Sequence, residues 1–110
     1  GIRDRLQFLN PDVVINEVEK ITSSYQAYYG IELAGKVRLN LYMHLALMIE
    51  RMLLASHKPD KVTTIKITSD QEHEFFSVSH TIFHGIEVKY NFKVADYEIS
   101  LMYQLLAPYI

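Results

Sequence analysis

The stretch from residue 33 to residue 57, LAGKVRLNLYMHLALMIERMLLASH, predicts one long helix around which the rest of the chain is arranged. At about 3.6 residues per turn, its apolar residues occupy nearly every side of the helix. One side carries Leu33, Val37, Leu41, Met48 and Met52, and much of the other carries Leu39, Met43, Leu47 and Leu54. A helix that is apolar nearly all round is usually buried on several sides. We therefore expect this helix to be the core of an all-α bundle.

Local signals predict four helices in all, over residues 11–29, 33–57, 70–89 and 96–107. The first begins at Asn10-Pro11, since asparagine is a favoured N-cap and proline is tolerated at the first helical position. It carries an apolar seam of Val14, Val18, Ile21, Tyr25 and Tyr28 and ends at Gly30. Residues 69–72, SDQE, form a capping box for the third helix. Short turns between neighbours predict two antiparallel helix pairs with a short connecting element.

The segment that connects the two pairs is the least regular part of the pattern. Residues 62–68, VTTIKIT, alternate and are rich in β-branched side chains, which taken alone indicates a strand. Because a single short strand would have no partner, we expect an extended connector or a distorted helical turn. Residues 1–9 are interpreted as a linker remnant and residues 10–110 as one domain, excised from a longer protein.

Composition excludes several classes of function. Of the 110 residues 49% are hydrophobic and 22% charged, with a net charge of −2. The sequence has no basic stripe, which argues against nucleic-acid contact, and no uncharged apolar run near the roughly 18 residues of a membrane span. Cysteine is absent, so thiolate metal sites and cysteine nucleophiles are excluded. We expect a cytoplasmic protein without a cofactor.

Three polar side chains share the most apolar face of the central helix. Asn40, His44 and Arg51 fall within about 40° of one another around its axis. Polar groups there are costly unless they are paired or lie at the mouth of a groove. No carboxylate occurs at helical spacing from His44, so an acid–base catalytic set is not expected. The alternative is a core histidine whose hydrogen bonds are satisfied internally.

A second set of histidines lies on the third predicted helix. His73, His80 and His84 share one side with Ser77 and Glu87, opposite the apolar side. The spacing of His80 and His84 is one that metal ligands use on a helix. The position of the stripe opposite the core favours a solvated face, and we therefore predict no metal site.

Two segments resemble a known family. His44-Leu-Ala-Leu-Met-Ile-Glu-Arg51 is similar to the histidine segment of PTS regulation domains (PRDs), in which an arginine follows the histidine seven residues later. Asp96-Tyr-Glu98-Ile99 resembles the Asp-Glu-Ile segment that opens the last helix of that family. In its opening Phe8-Leu9-Asn10-Pro11 and the run Leu41-Tyr-Met-His44, the chain looks most like the C-terminal PRD of LevR-type sigma-54-dependent activators.

The resemblance implies an all-α regulatory domain of a bacterial transcriptional regulator, not an enzyme. Such a domain is phosphorylated on histidine by phospho-HPr or a sugar-specific enzyme IIB, and it tends to form homodimers. Here the phospho-acceptor would be His44, with Arg51 and Asn40 as neighbours of the phosphate. Many members have a second histidine where this chain has Leu105, so we expect one phosphorylation site. The alternative function is a purely structural helical dimerisation module with His44 as a core residue.

Overall fold

The computed structural model describes residues 10–54 and 64–110. It contains four α-helices, α1 (Pro11–Tyr29), α2 (Gly35–Leu54), α3 (Asp70–Tyr90) and α4 (Asp96–Leu106), followed by a 3-10 turn (Ala107–Tyr109). The all-α prediction is confirmed, with helix ends within one or two residues of those expected where the structure describes them. Residues 55–57 of the predicted central helix lie outside the described ranges, as do the predicted linker at residues 1–9 and residues 62–63.

The four helices are arranged in a closed ring. Residues 30–34 join α1 to α2 and residues 91–95 join α3 to α4, and such short connections make each pair antiparallel. α1 also packs against α3, and α2 packs against α4. Aromatic rings from α1 and α3 fill the centre, where the Tyr25 hydroxyl donates to Ser79 Oγ at 2.6 Å and the Tyr25 ring stacks on Phe75. The two predicted helix pairs therefore enclose one apolar core.

The predicted helix caps are present, with one change. Asn10 Oδ1 accepts from the Asp12 backbone N–H at 2.9 Å, and Ser69 Oγ accepts from the Glu72 N–H at 3.1 Å. A complete capping box would have the Glu72 carboxylate return to Ser69, but it accepts instead from the backbone N–H of Thr68 at 3.1 Å. This contact ties the end of the connector to the first turn of α3.

The described part of the connector, residues 64–68, has no regular secondary structure. Ile65 and Ile67 are half-buried against the core, whereas Thr64 and Lys66 are exposed. The alternation in the sequence therefore reflects an extended segment lying on the bundle. The prediction of an extended connector agrees with these residues.

The expectation that α2 is buried on several sides is wrong. One side is fully buried by Leu41, Leu45, Met48 and Ile49. Leu39, Met43 and Leu47 are 58%, 55% and 58% exposed. The reason is that, among the described residues, α2 packs mainly against α1 and α4, which leaves its outer side open. Tyr28, expected in the α1 seam, is also exposed, and its hydroxyl donates to Glu74.

Candidate functional site

His44 lies on α2 at the contact with α4. Its side chain is 18% exposed, so the imidazole is neither fully buried nor freely solvated. The exposure is uneven, because Nε2 has less than 1 Å² of accessible surface. The accessible part of the side chain therefore belongs to its other atoms. A histidine packed wholly inside the core would show no such open side.

A buried carboxylate holds the inner edge of this imidazole. Glu98, in the first turn of α4, is only 2% exposed, and its Oε2 lies 3.2 Å from His44 Nε2. Its other oxygen, Oε1, accepts a hydrogen bond from Arg51 Nη2. One carboxylate thus joins two side chains of α2 that stand seven residues apart in the sequence.

Helical spacing from His44 could not predict this carboxylate, because Glu98 comes from another helix far along the chain. Two signals were available. Glu98 precedes Met102 by one helical turn, which places a charged residue on the core face of α4. It also belongs to the Asp96–Ile99 segment that carries the family resemblance. A charge on a core face indicates a buried partner.

The surroundings of Glu98 favour its ionised form. Burial by itself raises the pKa of this carboxyl group, but hydrogen bonds from His44 and Tyr97 and the positive charge of Arg51 outweigh it. The net result is a pKa below the usual value. A carboxylate is therefore present at neutral pH, facing His44 on one side and Arg51 on the other.

Arg51 and Asn40 differ in how they relate to the site. The Arg51 side chain is 57% exposed while its guanidinium contacts Glu98, so it lies at the rim and keeps donors open to solvent. A guanidinium in this position is suited to bind an incoming anion. Asn40 is exposed, and within residues 10–54 and 64–110 it makes no hydrogen bond to His44 or Glu98. The structure joins His44 with Arg51 through Glu98 but leaves Asn40 apart.

The histidines of α3 are arranged differently. His73, His80 and His84 are exposed, and His80 Nε2 lies 3.4 Å from Asp96 Oδ1 on α4. In the described residues, no group of three or more histidine, aspartate or glutamate side chains is placed to hold a metal ion. His80 and His84 do not converge on a common centre with further ligands there, so the arrangement gives no support to a metal-binding function.

Comparison with known proteins identifies one family. The family model described as the PRD domain matches residues 19–108, which is most of the chain. The match includes both segments of the candidate site. No curated protein and no solved structure gives a significant match. No helix in the described ranges is long and apolar enough to cross a membrane.

Proposed function

The chain belongs to the PRD domain family, whose members are regulatory phosphorylation domains of transcriptional regulators, and we propose that its phospho-acceptor is His44. The donor is a phosphorylated protein of the sugar phosphotransferase system, either HPr or a sugar-specific enzyme IIB. The domain is regulatory rather than catalytic, and it acts in the cytoplasm, where these donors reside. It reports sugar availability to the other domains of its parent regulator.

One observation carries the assignment of His44. The imidazole occupies the motif position, is partly open to solvent, and is braced by Glu98 with the Arg51 guanidinium at the rim. An imidazole is a nucleophile, and a guanidinium binds phosphate oxygens in a bidentate manner. This combination suits acceptance of a phosphoryl group from a protein donor. The rival function, a structural module, needs only a packed histidine and no exposed arginine beside it.

Phosphorylation at His44 would change the charge balance between α2 and α4. A phosphoryl group adds a charge of about −2 within reach of Arg51. It would compete with Glu98 for the guanidinium and at the same time repel the buried carboxylate. The contact between α2 and α4 is then weakened or rearranged. This is a local change that neighbouring protomers or domains can detect.

The homodimer expected from the family resemblance has a candidate surface. Leu39, Met43 and Leu47 follow one another at intervals of one turn on α2 and are more than half exposed. We name these three residues the α2 stripe. By helical geometry the stripe lies beside the His44 face, roughly 100° round the axis. A second copy packed on the α2 stripe would therefore sit next to the phosphorylation site.

The test of the proposed function is phosphotransfer to the 110-residue chain from purified phospho-HPr and from phosphorylated enzyme IIB proteins, followed by mass spectrometry. We expect one phosphoryl group, located on His44. His44→Ala should abolish labelling, and the matched variant His84→Ala, at an exposed histidine of α3, should leave it unchanged. Only one group is expected because Leu105 stands where many members have a second histidine.

The outcomes separate the two functions. Labelling that persists in His44→Ala, or that maps to His80 or His84, would show that His44 is not the phospho-acceptor. A chain that no phosphorylated donor labels, but that forms a stable dimer, would support the structural dimerisation module instead.

A further inference from the structure

Resting on the proposed function, we propose that Glu98 is a positioning residue that directs the phosphoryl group to Nδ1 of His44. The two ring nitrogens of an imidazole are chemically distinct, and the partner of one decides the state of the other. Among the described residues, Nε2 of His44 lies against the Glu98 carboxylate, and Nδ1 has no such partner. The consequence is a specific phosphohistidine isomer.

The two ring nitrogens of His44 differ in their access to solvent. His44 Nε2 is buried and faces Glu98 Oε2 at 3.2 Å. A donor protein approaching from solvent cannot reach this atom without displacing α4. A phosphoryl group on Nε2 would also occupy the space of the Glu98 carboxylate and place negative charge against it. Nδ1 does not face Glu98 and, unlike Nε2, is not one of the buried nitrogen atoms without a hydrogen-bond partner.

The Glu98 carboxylate also fixes the position of the imidazole proton. A carboxylate oxygen only accepts hydrogen bonds, so the nitrogen that faces Glu98 must carry the proton. Among the described residues, Glu98 Oε2 is the polar atom that Nε2 faces, at 3.2 Å, and no hydrogen bond to another group competes for Nε2. The neutral imidazole is therefore the Nε2–H tautomer, and Nδ1 carries the lone pair. Histidines in metal sites and catalytic triads are oriented in the same way by a carboxylate on the second nitrogen.

The transfer then balances without an external base. The Nδ1 lone pair attacks the phosphorus of the donor phosphohistidine, and the N–P bond of the donor breaks as the new one forms. The electron pair of the broken bond stays on the donor nitrogen, and a donor ring protonated on its second nitrogen leaves as neutral imidazole. His44 becomes a phosphoimidazolium that retains its Nε2 proton. The Glu98 carboxylate compensates the positive charge of this ring.

Because the Arg51 guanidinium orients the side chain at position 98, the single substitution Glu98→Gln tests the role of the carboxylate. In Glu98→Gln the side chain keeps its size, and the Arg51 guanidinium, which only donates, turns the amide oxygen toward itself. The amide NH₂ then faces His44 and donates to Nε2. This reverses the tautomer, so that Nδ1 carries the proton and loses its lone pair. A neutral amide in place of a triad carboxylate has this effect on a catalytic histidine.

The experiment uses the 110-residue chain labelled with ¹⁵N-histidine and nuclear magnetic resonance. Before phosphorylation, we expect the His44 signals of an Nε2–H tautomer. Phospho-HPr is one donor, and phosphoramidate, a small reagent that phosphorylates imidazoles without an enzyme, is the other. Both should place the phosphoryl group on Nδ1 of His44. The exposed His73 provides an unconstrained reference in the same sample.

Three variants separate positioning from stability. Glu98→Gln should shift His44 to the Nδ1–H tautomer and lower the initial rate of labelling at least about tenfold. Glu98→Asp, which retains the carboxylate, should restore the Nε2–H tautomer. The matched control is Glu17→Gln, which removes another buried carboxylate that pairs with Lys20 and Lys89 between α1 and α3, away from His44. It should leave the tautomer and the labelling rate unchanged.

The results distinguish this inference from the proposed function. Phosphate on Nε2 of His44, or an Nδ1–H tautomer in the unmodified chain, overturns the role of Glu98 while leaving His44 as the acceptor. Absence of labelling at His44 by every protein donor overturns the proposed function. In that case the tautomer and the phosphoramidate product still decide the role of Glu98.

Discussion

Glu98 is a charged side chain in a position that ordinarily belongs to an apolar residue. Its burial is tolerated because both oxygens have partners, His44 on one and Arg51 on the other. Removing one partner from such a cluster leaves a buried charge without compensation, which is strongly destabilising. The site residues therefore also contribute to folding, so circular dichroism must show that His44→Ala is still folded before its labelling is compared with that of the wild type.

The lowered pKa of Glu98 predicts how stability depends on pH. Since the folded state holds this pKa below the ordinary value of 4.5, the unfolded chain binds the proton first as pH falls. The stabilisation is complete above that ordinary value and is lost as pH falls through the folded pKa. We expect the free energy of unfolding to decrease in this acid range, and to decrease less steeply in Glu98→Gln. Urea unfolding at a series of pH values measures both slopes.

A second buried carboxylate provides the comparison for this prediction. Burial raises the pKa of Glu17, but a hydrogen bond from Tyr90 and the charges of Lys20 and Lys89 bring it below the usual value. Because Glu17 and Glu98 lie in different helix contacts, their effects should add. In the double variant Glu17→Gln/Glu98→Gln, the free energy of unfolding should fall less steeply with decreasing pH than in either single variant. If the free energy of unfolding falls equally steeply with pH in the wild type and in Glu98→Gln, Glu98 is not a source of the acid sensitivity.

At the scale of the helices, Gly30 and Gly85 differ in whether their backbone conformation requires glycine. Gly30 ends α1 in the left-handed conformation, with φ at 63°, and its N–H bonds the carbonyl oxygen of Gln26. Gly85 lies within α3, is exposed, and has no atom within 4 Å of the place where a Cβ would stand. The first position requires the freedom of glycine, and the second does not.

Alanine substitutions at the two glycines should therefore have opposite signs. Gly30→Ala places a Cβ on a left-handed residue and should destabilise the domain by about 1–2 kcal/mol. Gly85→Ala should stabilise it by about 0.5–1 kcal/mol, because alanine loses less backbone entropy in a helix. Chemical denaturation of the two variants beside the wild type measures both effects. Destabilisation by Gly85→Ala would indicate that the outer face of α3 is covered by another surface.

At the scale of the whole molecule, the outer side of α2 is an apolar surface that the described part of the fold leaves exposed. Within residues 10–54 and 64–110 the four helices enclose a single core, and each helix packs mainly against two others and so retains an outer side. On α2 that outer side carries the three large apolar residues of the α2 stripe. Contiguous exposed apolar surface of this kind marks interaction sites in soluble proteins.

The proposed homodimer predicts that a charge on the α2 stripe weakens association. Met43→Lys places an ammonium group in the middle of the stripe and should raise the dimer dissociation constant by at least about tenfold, because burying an unpaired charge is costly. Val88→Lys is the matched control, since Val88 is an apolar residue of α3 that is 68% exposed. Sedimentation velocity over a concentration series measures both. A wild-type chain that remains monomeric at high micromolar concentration, or equal weakening by both variants, would contradict this interface.

Features that depend on neighbours within one helical turn were predictable from the sequence. Asn10 and Ser69 start helices because their side chains reach backbone groups two or three residues away. The buried faces of α3 and α4 follow from the spacing of residues such as Phe75, Phe83 and Ile99. The family motif also indicated His44 and Arg51 as a pair, since seven residues of helix bring two side chains to the same side.

The sequence by itself thus determined where the helices begin, which side of most of them is apolar, and which family the chain resembles. The tertiary structure alone decided that Glu98 meets His44 and Arg51, and that the α2 stripe faces solvent. The physical reason is the same in both cases. Helical period places residues around one axis, but whether a side of that axis meets a carboxylate, a core or water depends on which other helices pack against it.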